Sequence, residues 1–186
     1  MLELSLHILD IVNNSVKAGA SLIQVTVDEA IRNNLLKISI EDNGCGMDED
    51  FLAHVTDPFQ TTRTTRKVGM GLSLFKAAAE STGGGLTIDS KKGVGTRVLV
   101  DFVYDHIDRQ PLGDMAETML TLISGNTTVD FVYTHTVNDK TFSLDTREIK
   151  QILGEEISLG SPEIVLRLRE YIKEGLKEIS LYFIHL

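Results

Sequence analysis

The sequence predicts an α/β (α+β) two-layer sandwich, in which helices cover one face of a mixed, largely antiparallel sheet. Two patterns predict this fold class. Apolar residues recur at helical spacing near 2–17 and 72–82, and apolar and polar residues alternate in paired segments between and after these stretches. Apolar residues make up 42% of the 186 residues and charged residues 24%, which is the composition of a globular chain that can bury a core.

The elements of the first half follow from these patterns and from glycine or asparagine turns. Gly19 ends the first helix, Asn33-Asn34 turns the first hairpin, and Gly83-Gly84-Gly85 ends the later helix. In chain order, we predict a helix near 2–17, strands Leu22–Asp28 and Leu35–Glu41, a short helix near 48–56 that Asp48 could cap, a loop Asp57–Gly71, a helix near 72–82, and strands Leu86–Ser90 and Thr96–Tyr104.

A polar segment at 105–111 suggests a boundary between two parts of the chain. We therefore predict a first domain at 1–106 and a smaller α+β C-terminal extension of unknown role at 107–186. The extension could form its own subdomain or lie on the first. Its predicted elements are a helix Leu112–Ile123, a hairpin of Thr128–Thr136 with Thr141–Leu144, and a helix Pro162–Ile179.

Charge and cysteine content narrow the classes of function. Lys and Arg number 18 against 27 Asp and Glu, and the net charge of -9 argues against a nucleic-acid partner. Cys45 is the only cysteine, so one chain can form neither a disulfide nor a cysteine-based metal cluster. Apolar runs are short and the start lacks the features of a signal peptide, so we expect no membrane insertion and a cytoplasmic protein.

A polar stripe follows one face of the first helix. Its members are spaced by three or four residues, which places them one above another on a helix: Glu3, His7, Asp10, Asn14 and Lys17. Such a stripe is usually a solvated helix face. However, a carboxylate, an amide oxygen and an ammonium group one turn apart could also serve a divalent metal and its phosphates.

Three glycine-containing segments are individually ambiguous. Asp42–Met47 could be a tight surface turn, although Asp42 at a strand end could accept a hydrogen bond from an adenine amine; its acidic residues lack the spacing of a calcium loop. Gly69–Leu74 opens a helix after a loop containing Arg63, Arg66 and Lys67, which favours phosphate binding. Gly93–Thr96 alone would be a plain hairpin turn.

Taken in order, these segments resemble the GHKL ATPase superfamily of sensor histidine kinases, gyrase, MutL and the ninety-kilodalton heat-shock chaperones. Asn14–Ala20 looks like the asparagine box of that superfamily, and Asp42–Met47 and Gly69–Leu74 look like its first two glycine boxes. Asp57–Thr62 is similar to the start of the histidine-kinase lid, and Gly93–Thr96 looks like the last box. The resemblance covers about half of the chain.

The resemblance implies a site for ATP and Mg²⁺. Asn14 would ligate Mg²⁺, Lys17 would face the phosphates, and Asp42 would select adenine. Further ATP-binding residues are implied by position in the boxes and lid: Gly44, Gly46, Met47, Thr61, Thr62, Arg63, Gly69, Met70, Gly71, Leu72 and Thr96.

Asp10 is the candidate catalytic residue. Gyrase- and MutL-like hydrolases carry a glutamate four residues before the metal-binding asparagine, and this chain has the shorter aspartate there. It could act as a general base toward water or toward an acceptor group. His7 lies outside a phosphoacceptor context, so we expect it to be a helix-face residue or a partner of the site residues.

Three functions remain open from the sequence. The first is an enzyme that transfers the γ-phosphoryl group of ATP to an unidentified partner protein in signalling or regulation. The second is a slow ATPase whose lid closure alters an interaction of the extension. The third is an ATP-dependent interaction module without catalysis.

Overall fold

The computed structural model describes residues 3–56, 71–154 and 157–181. The predicted loop Asp57–Gly71 lies outside the described residues except for its last residue. The elements are α1 Leu4–Lys17, β1 Leu22–Ala30, β2 Leu35–Asp42, α2 Glu49–Leu52, α3 Gly71–Glu80, β3 Gly85–Lys91, β4 Gly95–Val103, α4 Met115–Gly125, β5 Asp130–Val137, β6 Lys140–Asp145, α5 Thr146–Leu153 and α6 Pro162–Leu181.

The six strands form one mixed sheet in the order β3-β4-β2-β1-β5-β6. Four of the five neighbouring pairs are antiparallel, and β1 with β5 is the parallel pair. The predicted fold class, a mixed and largely antiparallel sheet with helices, is confirmed.

One face of the sheet carries the core. Alternate residues of β1, such as Val25 and Val27, are buried, and those of β2 and β4 follow the same pattern. These side chains form one apolar cluster with buried residues of α1, α3, α4 and α6. The opposite face of β1 exposes Gln24 and Thr26. The two-layer arrangement therefore follows from period-two burial in the strands.

Two helices differ from their predictions. The helix predicted near 48–56 is only Glu49–Leu52, where the Asp48 carboxylate caps the helix by accepting a hydrogen bond from the Phe51 N–H at 3.0 Å. The helix Thr146–Leu153 was not predicted, and it begins directly after β6 with Asp145 as its N-cap.

Residues 107–181, as far as they are described, continue the same sheet. Strand β5 pairs with β1 over its whole length, from Leu22 opposite Asp130 to Glu29 opposite Val137. Helix α4 packs on α1 and on α6, and α6 covers β5 and β6. The division at residue 106 stays a prediction, but the strands on its two sides share one hydrogen-bonded sheet.

A buried polar cluster also joins the two parts. The Glu29 carboxylate lies 2.8 Å from Nε2 of His135 and accepts a hydrogen bond from the Tyr104 hydroxyl at 3.1 Å. Nδ1 of His135 lies 2.7 Å from the Tyr133 hydroxyl. Burial opposes ionisation of Glu29, but these partners and the nearby Arg109 charge together hold its pKa below its usual range.

Helix α6 docks on β6 through a glycine. Gly175 lies directly against the Phe142 ring, where a Cβ would overlap ring atoms. Phe142 is itself held between Tyr133 and Tyr171, at centroid distances of 6.2 and 5.5 Å. The glycine therefore allows the helix to approach the ring closely. Within the described segments, no helix combines the length and the apolar character needed to cross a membrane.

Candidate functional site

Helix α1 presents part of the polar stripe toward a cavity beside the sheet. Leu4, Ile8 and Val12 are fully buried in the core and hold the helix on the sheet. Asn14 and Lys17, near the C-terminal end of the helix, line the cavity. The hydrophobic anchoring of α1 therefore sets the position of these two polar groups.

Asp42 lies at the end of β2 and its carboxylate is held at both oxygens. The Ser15 hydroxyl donates to Oδ2 at 2.6 Å, and the Gly44 N–H donates to Oδ1 at 2.8 Å. Ser15 is only 4% exposed. Thr96 lies directly opposite Asp42 in the β2–β4 pairing. The carboxylate is thus fixed in orientation, and its remaining lone pairs can accept from a ligand.

The loop after β2 is packed tightly against neighbouring backbone. Gly46 has φ +62°, and a Cβ there would overlap the Lys91 carbonyl. A Cβ at Gly44 would lie 3.1 Å from the Ala18 carbonyl oxygen. The Cys45 carbonyl accepts a hydrogen bond from the Gly93 N–H at 2.7 Å. Contacts within the protein therefore require glycine at position 46 and leave little room for a side chain at position 44.

The cavity beside these groups has a volume of about 870 Å³ and mixes apolar walls with a few polar groups. Seven of the predicted ATP-binding residues line it: Asn14, Lys17, Asp42, Gly46, Met47, Leu72 and Thr96. Its apolar lining includes Ile11, Ile40 and Val98. The structure thus brings together groups from α1, β2, β4 and α3.

The other predicted site residues either do not line the cavity or lie outside the described residues. Asp10 and Gly44 are not among the described residues that line the cavity; Gly44 instead supports the Asp42 carboxylate. The Asp10 carboxylate lies against Gly71 at the start of α3, where a Cβ would overlap it. The predicted residues Thr61, Thr62, Arg63, Gly69 and Met70 lie outside the described residues.

His7 lies on the face of α1 that α3 covers, so it is an internal residue and not part of a solvated helix face. It is 1% exposed, and its ring stacks on Phe75 at a centroid distance of 4.9 Å. Its Nε2 lies 3.1 Å from Oε1 of Gln110. Burial lowers the pKa of His7 despite this hydrogen bond. The stripe is covered here because α3 packs along α1.

Several contributors were missed by the sequence analysis. Ser15 holds Asp42, and Phe51, Asp48 and Lys92 line the cavity. Ser15 follows Asn14 directly, so its position in the asparagine box was the available signal. No comparable signal marks Lys92, because its place in the cavity wall depends on how the β3–β4 turn packs against the loop after β2.

The Asn14 amide suits a phosphate ligand, because its N–H group can donate to a phosphate oxygen, and its oxygen is of the kind that Mg²⁺ binds. The Asn14 Nδ2 atom is buried and has no hydrogen-bond partner among the described residues, so this amide is not satisfied within that part of the protein. Mg²⁺ usually takes one or two protein oxygens and completes its shell with phosphates and water. The oxygen of the same amide could provide one such ligand.

Comparisons with known proteins find relatives among the histidine kinases. The chain is 35% identical over 103 residues to an uncharacterized sensor-like histidine kinase of Rhizobium meliloti, covering 53% of this chain and 20% of that protein. It is 33% identical over 97 residues to the histidine protein kinase DivJ of Caulobacter vibrioides, covering 50% of this chain and 16% of that protein. The chain thus spans a fifth or less of these curated relatives.

A solved structure shares the fold over most of the chain. The Aquifex aeolicus MutL ATPase domain complexed with ADP superposes with a TM-score of 0.51 and 15% identity, covering 82% of this chain and 69% of that one. Residues 2–106, more than half of the chain, match the model of one family. The chain therefore belongs to the histidine kinase-, DNA gyrase B- and HSP90-like ATPase family.

Proposed function

We propose that this chain binds Mg-ATP in the cavity beside α1 and transfers the γ-phosphoryl group to a partner protein. One observation carries the proposal. The Asp42 carboxylate, held by Ser15 and Gly44, lines the same cavity as Asn14 and Lys17. An acceptor for a base amine and groups suited to metal and phosphate thus share one cavity of about 870 Å³.

Asp42 is proposed to recognise adenine. Both carboxylate oxygens already accept one hydrogen bond from the protein, which fixes the orientation of the group and leaves lone pairs for further donors. The exocyclic amine of adenine is such a donor. Guanine presents a carbonyl oxygen at the same place, which would leave the carboxylate unpaired and repelled.

Asn14 and Lys17 are proposed to serve the phosphate end. Lys17 is exposed at the end of α1, where its ammonium group can reach phosphate oxygens. Asn14 would hold Mg²⁺, which neutralises charge on the transferring group. The proposed roles of Thr61, Thr62, Arg63, Gly69 and Met70 in covering the phosphates remain predictions.

Asp10 is proposed to accept a proton from the attacking hydroxyl or imidazole. It lies one helical turn before Asn14, and its carboxylate contacts Gly71 at the first residue of α3. The close fit at Gly71 restricts where the carboxylate can lie. If water replaces the acceptor, the same group would support hydrolysis, which is the second candidate function.

A partner protein is proposed as the acceptor because the described histidines are poorly placed. His7 and His135 are buried in hydrogen-bonded positions, and no described histidine lines the cavity. The similarity to histidine kinases supports transfer over hydrolysis.

Labelled ATP tests the proposal directly. The chain is incubated with γ-labelled Mg-ATP, alone and with candidate partner proteins. Labelled partner protein supports transfer, and released phosphate supports hydrolysis. The absence of both products would refute catalysis. Calorimetry with ATP and GTP tests recognition, and equal affinity for both nucleotides would refute the role of Asp42. Asp42→Asn should weaken ATP binding by about 1.5–3 kcal/mol because it removes a charged acceptor.

A further inference from the structure

Ser90 lies beside the part of the cavity wall formed by Asp42 and Thr96, but it does not line the cavity itself. Its Oγ accepts a hydrogen bond from the Met47 N–H at 2.9 Å and lies 3.1 Å from the Gly95 carbonyl oxygen. It also lies 2.8 Å from the Thr96 hydroxyl. Met47 belongs to the loop after β2, whereas Gly95 and Thr96 begin β4. One hydroxyl therefore contacts both segments.

Counting protons determines the direction of these hydrogen bonds. A serine hydroxyl has one proton and two lone pairs. The Met47 N–H can only donate and the Gly95 carbonyl can only accept, so Ser90 uses its single proton toward Gly95. Its second lone pair must then accept the proton of Thr96. If Ser90 instead donated its proton to Thr96, its contact with the Gly95 carbonyl would not be a hydrogen bond.

We propose that Ser90 is a positioning residue that makes Thr96 a hydrogen-bond acceptor toward the bound base. Because the Thr96 proton points to Ser90, the lone pairs of Thr96 are the groups left for the cavity. Thr96 lies opposite Asp42 across β2 and β4, and both line the cavity. A ligand edge placed there meets two acceptors side by side.

The consequence is a stronger preference for a base that carries an amine. Two adjacent acceptors favour a donor and disfavour a carbonyl oxygen, which would be repelled by both. This inference rests on the proposed nucleotide site, but it assigns selectivity to a residue that does not touch the ligand. Ser90 therefore acts through Thr96.

Calorimetry with the full chain tests the inference. The probes are ATP, inosine triphosphate, which has a carbonyl in place of the amine, and purine riboside triphosphate, which has neither. Ser90→Ala should reduce the preference for ATP over inosine triphosphate roughly 2- to 10-fold, the effect of about one hydrogen bond. Ser90→Thr keeps the hydroxyl and should retain the preference. Ser39→Ala is the matched control, since the Ser39 hydroxyl contacts Glu41 on its own strand, β2, and does not reach Thr96.

A double variant separates positioning from general support of the loop. In a Thr96→Val background, Ser90→Ala should cause no further loss of preference, because the group it orients is absent. If Ser90→Ala weakens the binding of all three nucleotides equally, the inference is overturned and the role of Ser90 is purely structural. An unchanged preference would also overturn it. If the unmodified chain binds none of the three nucleotides, the proposed nucleotide site itself is wrong.

Discussion

Replacing Gly175 with alanine tests how closely α6 docks on β6. In a free helix, this change stabilises by about 0.8–1 kcal/mol, because glycine is the poorer helix former. Here the new methyl group would overlap the Phe142 ring, which is 8% exposed and held by Tyr133 and Tyr171. Forcing one extra carbon into such a packed position costs about 1–3 kcal/mol. The net effect should be a loss of about 0–2 kcal/mol.

Gly125→Ala is the matched control for this experiment. Gly125 ends α4, and a Cβ there would meet no atom within 4 Å. This variant should be neutral or more stable by up to about 1 kcal/mol. Urea unfolding followed by circular dichroism gives both free energies of unfolding. If Gly175→Ala stabilises the chain as much as Gly125→Ala does, the close helix–ring contact is refuted.

Three further predictions concern α1. Because burial holds the pKa of His7 below 6.5, the unfolded chain binds that proton more tightly; stability should fall as pH drops below about 6.5. Urea unfolding at several pH values should show that the free energy of unfolding depends less on pH in His7→Gln than in the parent chain. His54→Gln, which removes an exposed histidine, is the control variant. Asp10→Asn should keep ATP affinity within a few-fold while lowering turnover by roughly 10²–10⁴; unchanged turnover would exclude it as the base. Asn14→Ala should instead weaken Mg-ATP binding, measured by calorimetry, and unchanged affinity would exclude it as a metal ligand.

Local sequence patterns predicted much of the fold because they report local geometry. The hairpin of β1 and β2 was predicted to within about two residues, since alternation and the Asn33-Asn34 turn both act over short distances. Asn14, Asp42 and Thr96 were assigned to one site from the order of motifs, and they do line one cavity. Their nucleotide roles remain predictions.

Other features depend on contacts between distant segments. Alternation in β5 is the same whether the strand pairs in parallel or antiparallel fashion, so its place beside β1 could not be predicted. His7 had the spacing of a solvated face, but Phe75 and Gln110, both far along the chain, pack against its ring. Helix α5 is only eight residues long, so its apolar residues repeat over little more than two turns and give a short signal.

The parallel pairing of β1 with β5 also has a consequence for the order of folding. Strand β1 reaches β2 through a short connection, whereas its partner in β5 lies more than 100 residues farther along the chain. Closing so long a loop costs more entropy than closing a hairpin, and contacts of high sequence separation slow folding. We therefore expect the β1–β2 hairpin to form first and the pairing of β1 with β5 to form late. On a ribosome, residues 1–106 would leave the exit tunnel with the edge of β1 still unpaired, and that edge would be open to association with other chains until β5 emerges.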